Sequence, residues 1–239
     1  MILCLDAGNT RLKYGLGDAR GWRLQGVIDY RNFADLAAQL PQQPARIVAC
    51  NVAGDAIRQR IEALADSLQI PLAWLTSSAN ACDVSNGYDT PEQLGADRWA
   101  ALIGARALHA GPTVVVLAGT ATTIDALDDR GRFRGGLILP GLALMRSALA
   151  HNTAALPHAA GHYRLQPTNT DDAIVSGAIH ATLGAIERIR ATLDETADQA
   201  ALCLLSGGAV AELVPQLSLP HRLIDNLVLE GLARYSRAG

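Results

Sequence analysis

"ILCLDAGNTRLKYGLGD", residues 2–18, reads as an apolar strand that ends in Asp-Ala-Gly, a small polar turn, and an alternating second strand. "WRLQGVIDY" (22–30) adds a third strand after a Gly-containing turn. The same opening returns after Pro112, where "TVVVLAGTATTIDALDD" (113–129) is strand, Gly-Thr turn and strand, and "GRFRGGLILPG" (131–141) supplies the third. Behind the first meander the pattern predicts a helix from Asn32 to Leu40, a buried strand "RIVACNV" (46–52), an amphipathic helix from Asp55 to Ser67 and a strand "LAWLT" (72–76). Behind the second it predicts helices over 142–149 and 171–193, strands "ALCLLSGG" (201–208) and "HRLI" (221–224), and a closing helix "NLVLEGLARY" (226–235). Helix and strand alternating in this way predict α/β layering. The repeat is one of topology, since the halves share little identity, and it divides the chain into 1–111 and 112–239. Duplicated halves of this kind place a cleft between them with both first turns facing it.

The bulk composition sets limits. Apolar residues make up 49% of the 239 residues, enough for a sizeable core, yet no apolar run reaches the ~18 residues a membrane span needs. A strand-like start without a basic leader reads as a cytoplasmic protein. The four cysteines are scattered, form no C-x-x-C pair, and read as free thiols in a reducing compartment. A net charge of −3 with dispersed arginines leaves no basic stripe for nucleic acid.

The positive charge comes from nineteen arginines and a single lysine, Lys13. A compact ammonium suits a phosphate oxygen, whereas the guanidinium fork suits bidentate partners. Lys13 lies across the hairpin from Asp6, and between them Gly8, Asn9 and Thr10 offer close backbone approach, an amide and a hydroxyl. Exposed N–H groups and hydroxyls at such a turn form a nest for phosphate oxygens, and a neighbouring Asp can hold Mg²⁺, usually through water. The turn "AGTATT" offers the same chemistry in the second half. Either turn alone is equally an ordinary hairpin. Neither a G-x-x-x-x-G-K-[ST] cradle nor a G-x-G-x-x-G opening a helix is present.

A third constellation is "YDTPEQLGADR" (88–98), where Asp97 and Arg98 stand at the head of an apolar helix. A carboxylate there is either a helix cap or a general base that accepts a hydroxyl proton during phosphoryl transfer. Arg98 can grip a substrate carboxylate or carbonyl, and Tyr88 can wall the same pocket or simply pack.

"DAGNTRLK" (6–13), "YDTPEQLGADR" (88–98), "GTATTID" (119–125), "GGLILPG" (135–141) and "NTDDAIVSG" (169–177), in that order, resemble the type III pantothenate kinases of the actin-like and sugar-kinase superfamily. The resemblance runs on to "DNLVLEGL" (225–232). "DAGNT" is superfamily-wide, whereas "LGADR" and "GTATTID" with "GGLILPG" are far more specific. It implies two duplicated ribonuclease H-like (actin-like ATPase) domains with a central cleft. It also implies ATP-dependent phosphorylation of pantothenate to 4′-phosphopantothenate, the first step of coenzyme A biosynthesis, by a homodimer. Carried over residue by residue, it makes Asp6, Ala7, Gly8, Asn9, Thr10, Arg11, Leu12 and Lys13 the nucleotide phosphate loop, with Asp6 near Mg²⁺. Asp97 becomes the catalytic base. Tyr88, Gly95, Ala96, Asp97 and Arg98 form the pantothenate pocket. Thr120 becomes a nucleotide contact, and Thr170 a pantothenate contact at the dimer interface.

One position departs from the family. Where it commonly has an Asp that holds K⁺ or NH₄⁺ beside the nucleotide, this chain has Leu117, which cannot ligate a cation through its side chain. Asp125, eight residues on, is no obvious substitute along an extended chain. Two other functions compete with the kinase: another phosphotransferase or nucleotide phosphatase of the superfamily, and a non-catalytic, transcription-related member of the family. The first lacks an "LGADR" pocket, and loss of Asp6, Lys13 or Asp97 would mark the second. All of these features are present here.

Overall fold

The computed structural model describes residues 1–152, 160–195 and 199–238. Its contacts divide the chain into two compact units. The first comprises Met1–Ala110, Gly131–Phe133 and 226–238, and the second Gly111–Arg130 and Arg134–Asp225.

In the first unit, strands β1 (Ile2–Ala7), β2 (Arg11–Asp18) and β3 (Gly21–Asp29) form the expected meander. A 3₁₀ turn (Tyr30–Asp35) and α1 (Leu36–Gln39) follow, then β4 (Arg46–Asn51), α2 (Asp55–Leu68) and β5 (Leu72–Trp74). The short hairpin β6 (Asn80–Ala81) and β7 (Val84–Ser85) precedes α3 (Ala96–Leu108). The sheet order is β3-β2-β1-β4-β5, with β1 antiparallel to β2 and parallel to β4. The helix expected from Asn32 to Leu40 is thus a 3₁₀ turn and a single α turn. Leu40 is held extended, the conformation favoured before a proline such as Pro41, so the helix cannot continue. On one side of the sheet Leu3, Leu5, Leu12, Ile47 and Ala49 pack with Phe33, Leu36, Ile61 and Leu64.

In the second unit, β8 (Thr113–Ala118), β9 (Ala121–Leu127) and β10 (Phe133–Pro140) are followed by α4 (Leu142–Asn152) and α5 (Thr170–Asp194). Strand β11 (Leu202–Ser206), α6 (Val210–Leu213) and β12 (His221–Leu223) complete it. The order β10-β9-β8-β11-β12 repeats that of the first sheet, position for position. Val114, Val116, Ile124, Val175, Ile179, Leu183, Cys203 and Leu205 are among its core residues. Asn169 caps α5, its side chain accepting the backbone N–H of Asp172 at 2.9 Å.

The last helix, α7 (Leu227–Ala238), belongs by its contacts to the first unit, where the sequence reading expects contiguous halves. It packs on α3 through two glycines. A Cβ on Gly231 would stand 1.8 Å from the Ala100 carbonyl oxygen, and one on Gly104 2.5 Å from that of Leu227. Trp22 Nε1 also donates to Glu230 Oε1 at 2.7 Å, and Arg46 donates to the carbonyl of Ser236. Among the described residues no helix is long and apolar enough to cross a membrane.

Candidate active site

The β1–β2 register pairs Asp6 with Lys13, and the β1–β4 register sets Cys50 on the other side of Asp6. Asp6 is only 3% exposed; its Oδ2 accepts from Lys13 Nζ at 3.3 Å, and Cys50 Sγ lies 3.8 Å from Oδ1. Burial pushes the Asp6 carboxyl above the usual carboxylate range; Lys13 opposes this, and the charge of Asp97 adds to it. The Cys50 thiol is raised well above its ordinary value by burial first and then by Asp6 and Asp97. Within the first unit, therefore, Asp97 lies in the electrostatic neighbourhood of Asp6. Of the other residues expected to form the phosphate loop, Asn9 and Thr10 are exposed in the turn beside Gly8 and Arg11 is exposed at the start of β2, whereas Ala7 and Leu12 are fully buried in the core. Those two can meet a ligand only through backbone. Tyr30, which the sequence reading places only at the end of the third strand, donates its hydroxyl to the Gly8 carbonyl at 2.6 Å.

The 88–98 segment is ordered by Asn86. Its Nδ2 donates to Pro91 O at 3.1 Å, and its Oδ1 accepts the Tyr88 N–H at 3.1 Å. Buried Leu94 anchors the loop, and Gly95 is the N-cap of α3, with Ala96 its first residue. Asp97 is the second helical residue, and its Oδ1 accepts the Arg98 N–H, a first-turn donor without an intrahelical partner, at 2.8 Å. A Cβ on Gly95 would stand 2.7 Å from that oxygen, so glycine leaves the carboxylate its room. Arg98 is 4% exposed, and its Nη1 donates to the Tyr88 hydroxyl at 3.0 Å. Its guanidinium lies 5.7 Å from the Tyr88 ring and 5.8 Å from that of Phe133, and the two rings pack at 5.2 Å. Phe133 is the site residue the motifs miss. Its signal is rarity, for the chain has two phenylalanines, but nothing local ties residue 133 to 88–98.

In the second unit the Gly119–Thr120 turn is tied by Gly119 N–H to Ala121 O (3.0 Å) and by Gly141 N–H to Thr120 O (2.9 Å). Leu117 is half-buried and faces Thr123 and Ser206 in the neighbouring strands. Asp125 is paired with Val115, so the hairpin brings it back to the side of Leu117 as a diagonal neighbour, roughly 7–8 Å away. It is fully buried there. Thr170 is exposed in the first turn of α5, in the second unit. Among the described residues no three His, Cys, Asp or Glu side chains cluster as a metal site.

Two mixed sheets of identical strand order define the actin-like ATPase and sugar-kinase fold class. Solved structures agree. A Campylobacter jejuni protein described as a Baf family transcriptional activator superposes with a TM-score of 0.68 at 21% identity, covering 98% of this chain and 97% of that one. A Sinorhizobium meliloti protein described as a 2-dehydro-3-deoxygalactonokinase gives 0.65 at 17% identity over 100% and 99%. The type III pantothenate kinase family profile matches residues 2–192. The type III pantothenate kinase of Aromatoleum aromaticum is 49% identical over 239 residues, covering 99% of this chain and 98% of the relative. The chain belongs to the type III pantothenate kinase family.

Proposed function

We propose that this protein transfers the γ-phosphoryl group of ATP to the primary hydroxyl of pantothenate, giving 4′-phosphopantothenate and ADP at the head of coenzyme A biosynthesis. What supports the proposal is the buried Asp6–Lys13 pair, at which the charge of Asp97 is felt, in a chain of this family. Asp97 accepts the hydroxyl proton as the oxygen attacks the γ-phosphorus and the bond to the β–γ bridging oxygen breaks. Lys13 offsets phosphate charge as a point charge, and the N–H groups of Gly8–Arg11 receive phosphate oxygens. Tyr88, Gly95, Ala96 and Arg98 line the pantothenate pocket, Thr120 contacts the nucleotide, and Thr170 reaches pantothenate from the partner subunit of a homodimer. Four free cysteines suit the reducing cytoplasm.

In the first unit the buried carboxylate of Asp6, with no cluster of three ligating side chains among the described residues, fits Mg²⁺ that would be held mainly by phosphates and water, with Asp6 as its protein anchor. Mg²⁺ neutralises charge on the phosphates. A monovalent cation gains no oxygen from the Leu117 side chain, so catalysis here depends less on K⁺ or NH₄⁺ than is usual for the family.

The test is a purified-protein assay with ATP, Mg²⁺ and pantothenate, following 4′-phosphopantothenate by mass spectrometry, with KCl varied against a bulky organic cation at constant ionic strength. Product should form at zero K⁺ and rise less than tenfold by 50 mM. Absence of product at every salt condition favours the non-catalytic reading, which Leu117 alone supports.

A further inference from the structure

The two units hold their first turns from the same topological position but with different chemistry. In the second unit the residue directly after β10 is Gly141, whose backbone N–H donates to Thr120 O at 2.9 Å. It comes so close that a Cβ would stand 2.2 Å from the Gly119 carbonyl oxygen. In the first unit the residue directly after β3 is Tyr30, whose hydroxyl donates to Gly8 O at 2.6 Å, with Arg11 O a longer 3.4 Å away. Tyr30 is itself anchored. Arg60 Nη2 donates to the Tyr30 carbonyl at 2.7 Å while its guanidinium stacks 4.7 Å from the Phe33 ring.

The bond decides a direction. In a trans peptide the C=O and N–H point opposite ways, so tying Gly8 O to Tyr30 aims the Asn9 N–H away from Tyr30. It also keeps that carbonyl dipole from turning toward an incoming anion. The β1–β2 ladder ends at Ala7 and Leu12, and Arg11 still pairs with Asp29 of β3, so Gly8, Asn9 and Thr10 lie outside both ladders and the Tyr30 hydroxyl grips the carbonyl at their start. Burial and the charge of Asp6 push the Tyr30 phenol well above its ordinary value, which keeps the donor proton in place at every workable pH.

We infer that Tyr30 is a positioning residue for the nucleotide phosphates, latching the Gly8–Arg11 turn in the shape that presents N–H groups to them. The inference rests on reading residues 6–13 as the phosphate turn. A turn that spends part of its time in other shapes binds more weakly in proportion to the competent fraction.

Tyr30→Phe removes one oxygen and keeps the ring. It should raise both the KM for ATP and the calorimetric Kd for ATP about 3–10-fold, the effect of one lost hydrogen bond. The KM for pantothenate should stay within twofold and the thermal midpoint unchanged. Lys13→Ala, measured alongside, separates the two readings. If Lys13→Ala weakens ATP and Tyr30→Phe leaves it within twofold, the latch is wrong while the phosphate turn stands. If neither variant moves ATP affinity, the phosphate turn itself is misassigned and the latch falls with it. Equal losses for both substrates with a lowered midpoint in Tyr30→Phe would show a merely structural tyrosine and overturn the inference.

Discussion

Asp97 occupies the second position of α3, where the helix dipole favours a negative charge by roughly 0.3–1 kcal/mol, and the bond its Oδ1 accepts from the Arg98 N–H is one an asparagine oxygen can also accept. Exchanging the carboxylate for an amide should therefore be felt in chemistry more than in folding. Asp97→Asn is expected to leave the thermal midpoint within about 2 °C and to cut turnover at least ~100-fold, the scale of a lost general base. Turnover within threefold of the parent protein would return Asp97 to a purely local role. At this scale the sequence was legible where partners are neighbours in a hairpin. Asp6 facing Lys13 followed from strand alternation across a short turn, and the register confirms the pairing. Contour alone separates Asp125 from Leu117, and the intervening turn, which the sequence leaves free to fold back, does so and returns Asp125 to the side of Leu117. Phe133 and Tyr30 were missed because their partners lie far along the chain or are backbone carbonyls, and neither leaves a spacing signature.

The crossing of α3 and α7 is set by glycines rather than by large side chains. Because the obstacle at Gly231 is the Ala100 backbone oxygen, no rotamer change can make room for a methyl group. Gly231→Ala should cost about 2–3 kcal/mol as overpacking, or roughly 5–10 °C in thermal midpoint for a chain of this size. Differential scanning calorimetry measures it directly, and a shift below 1 °C would mean the two helices separate freely. The elements themselves were largely legible. Periodicity placed the helix 55–67 against an observed Asp55–Leu68, and 171–193 against Thr170–Asp194. What periodicity cannot carry is the partner of each face. The apolar stripe of the closing helix is plain in "NLVLEGLARY", but its docking on the first unit is a long-range choice made by shape.

Across the whole molecule, apolar side chains remain on the second unit's surface. Ile138 is 66% exposed, Leu144 48% and Leu165 73%, and nothing stands within 4 Å of a Cβ placed on Gly177 or Gly184. Such groups suit burial against a second copy of the chain, and Thr170 opens the same helix as those glycines. Sedimentation at micromolar concentration should give a dimer, and Ile138→Glu with Leu144→Glu should shift it toward monomer with a raised KM for pantothenate. A monomeric parent protein with full activity would exclude a partner-supplied Thr170.

That α7 lies with the first unit has a consequence for how the chain comes off the ribosome. Strands β1 to β5 are made well before the helix that covers them, whose end emerges roughly 130 residues after Ala110. At 5–20 residues per second the nascent first unit waits about 6–25 s with the sheet face around Cys4 and Trp22 uncovered. The second unit has all its strands by Leu223, and its residues end at Asp225, before α7 begins. The half translated later is thus free to fold first, and the earlier half needs shelter until its final turn of helix arrives.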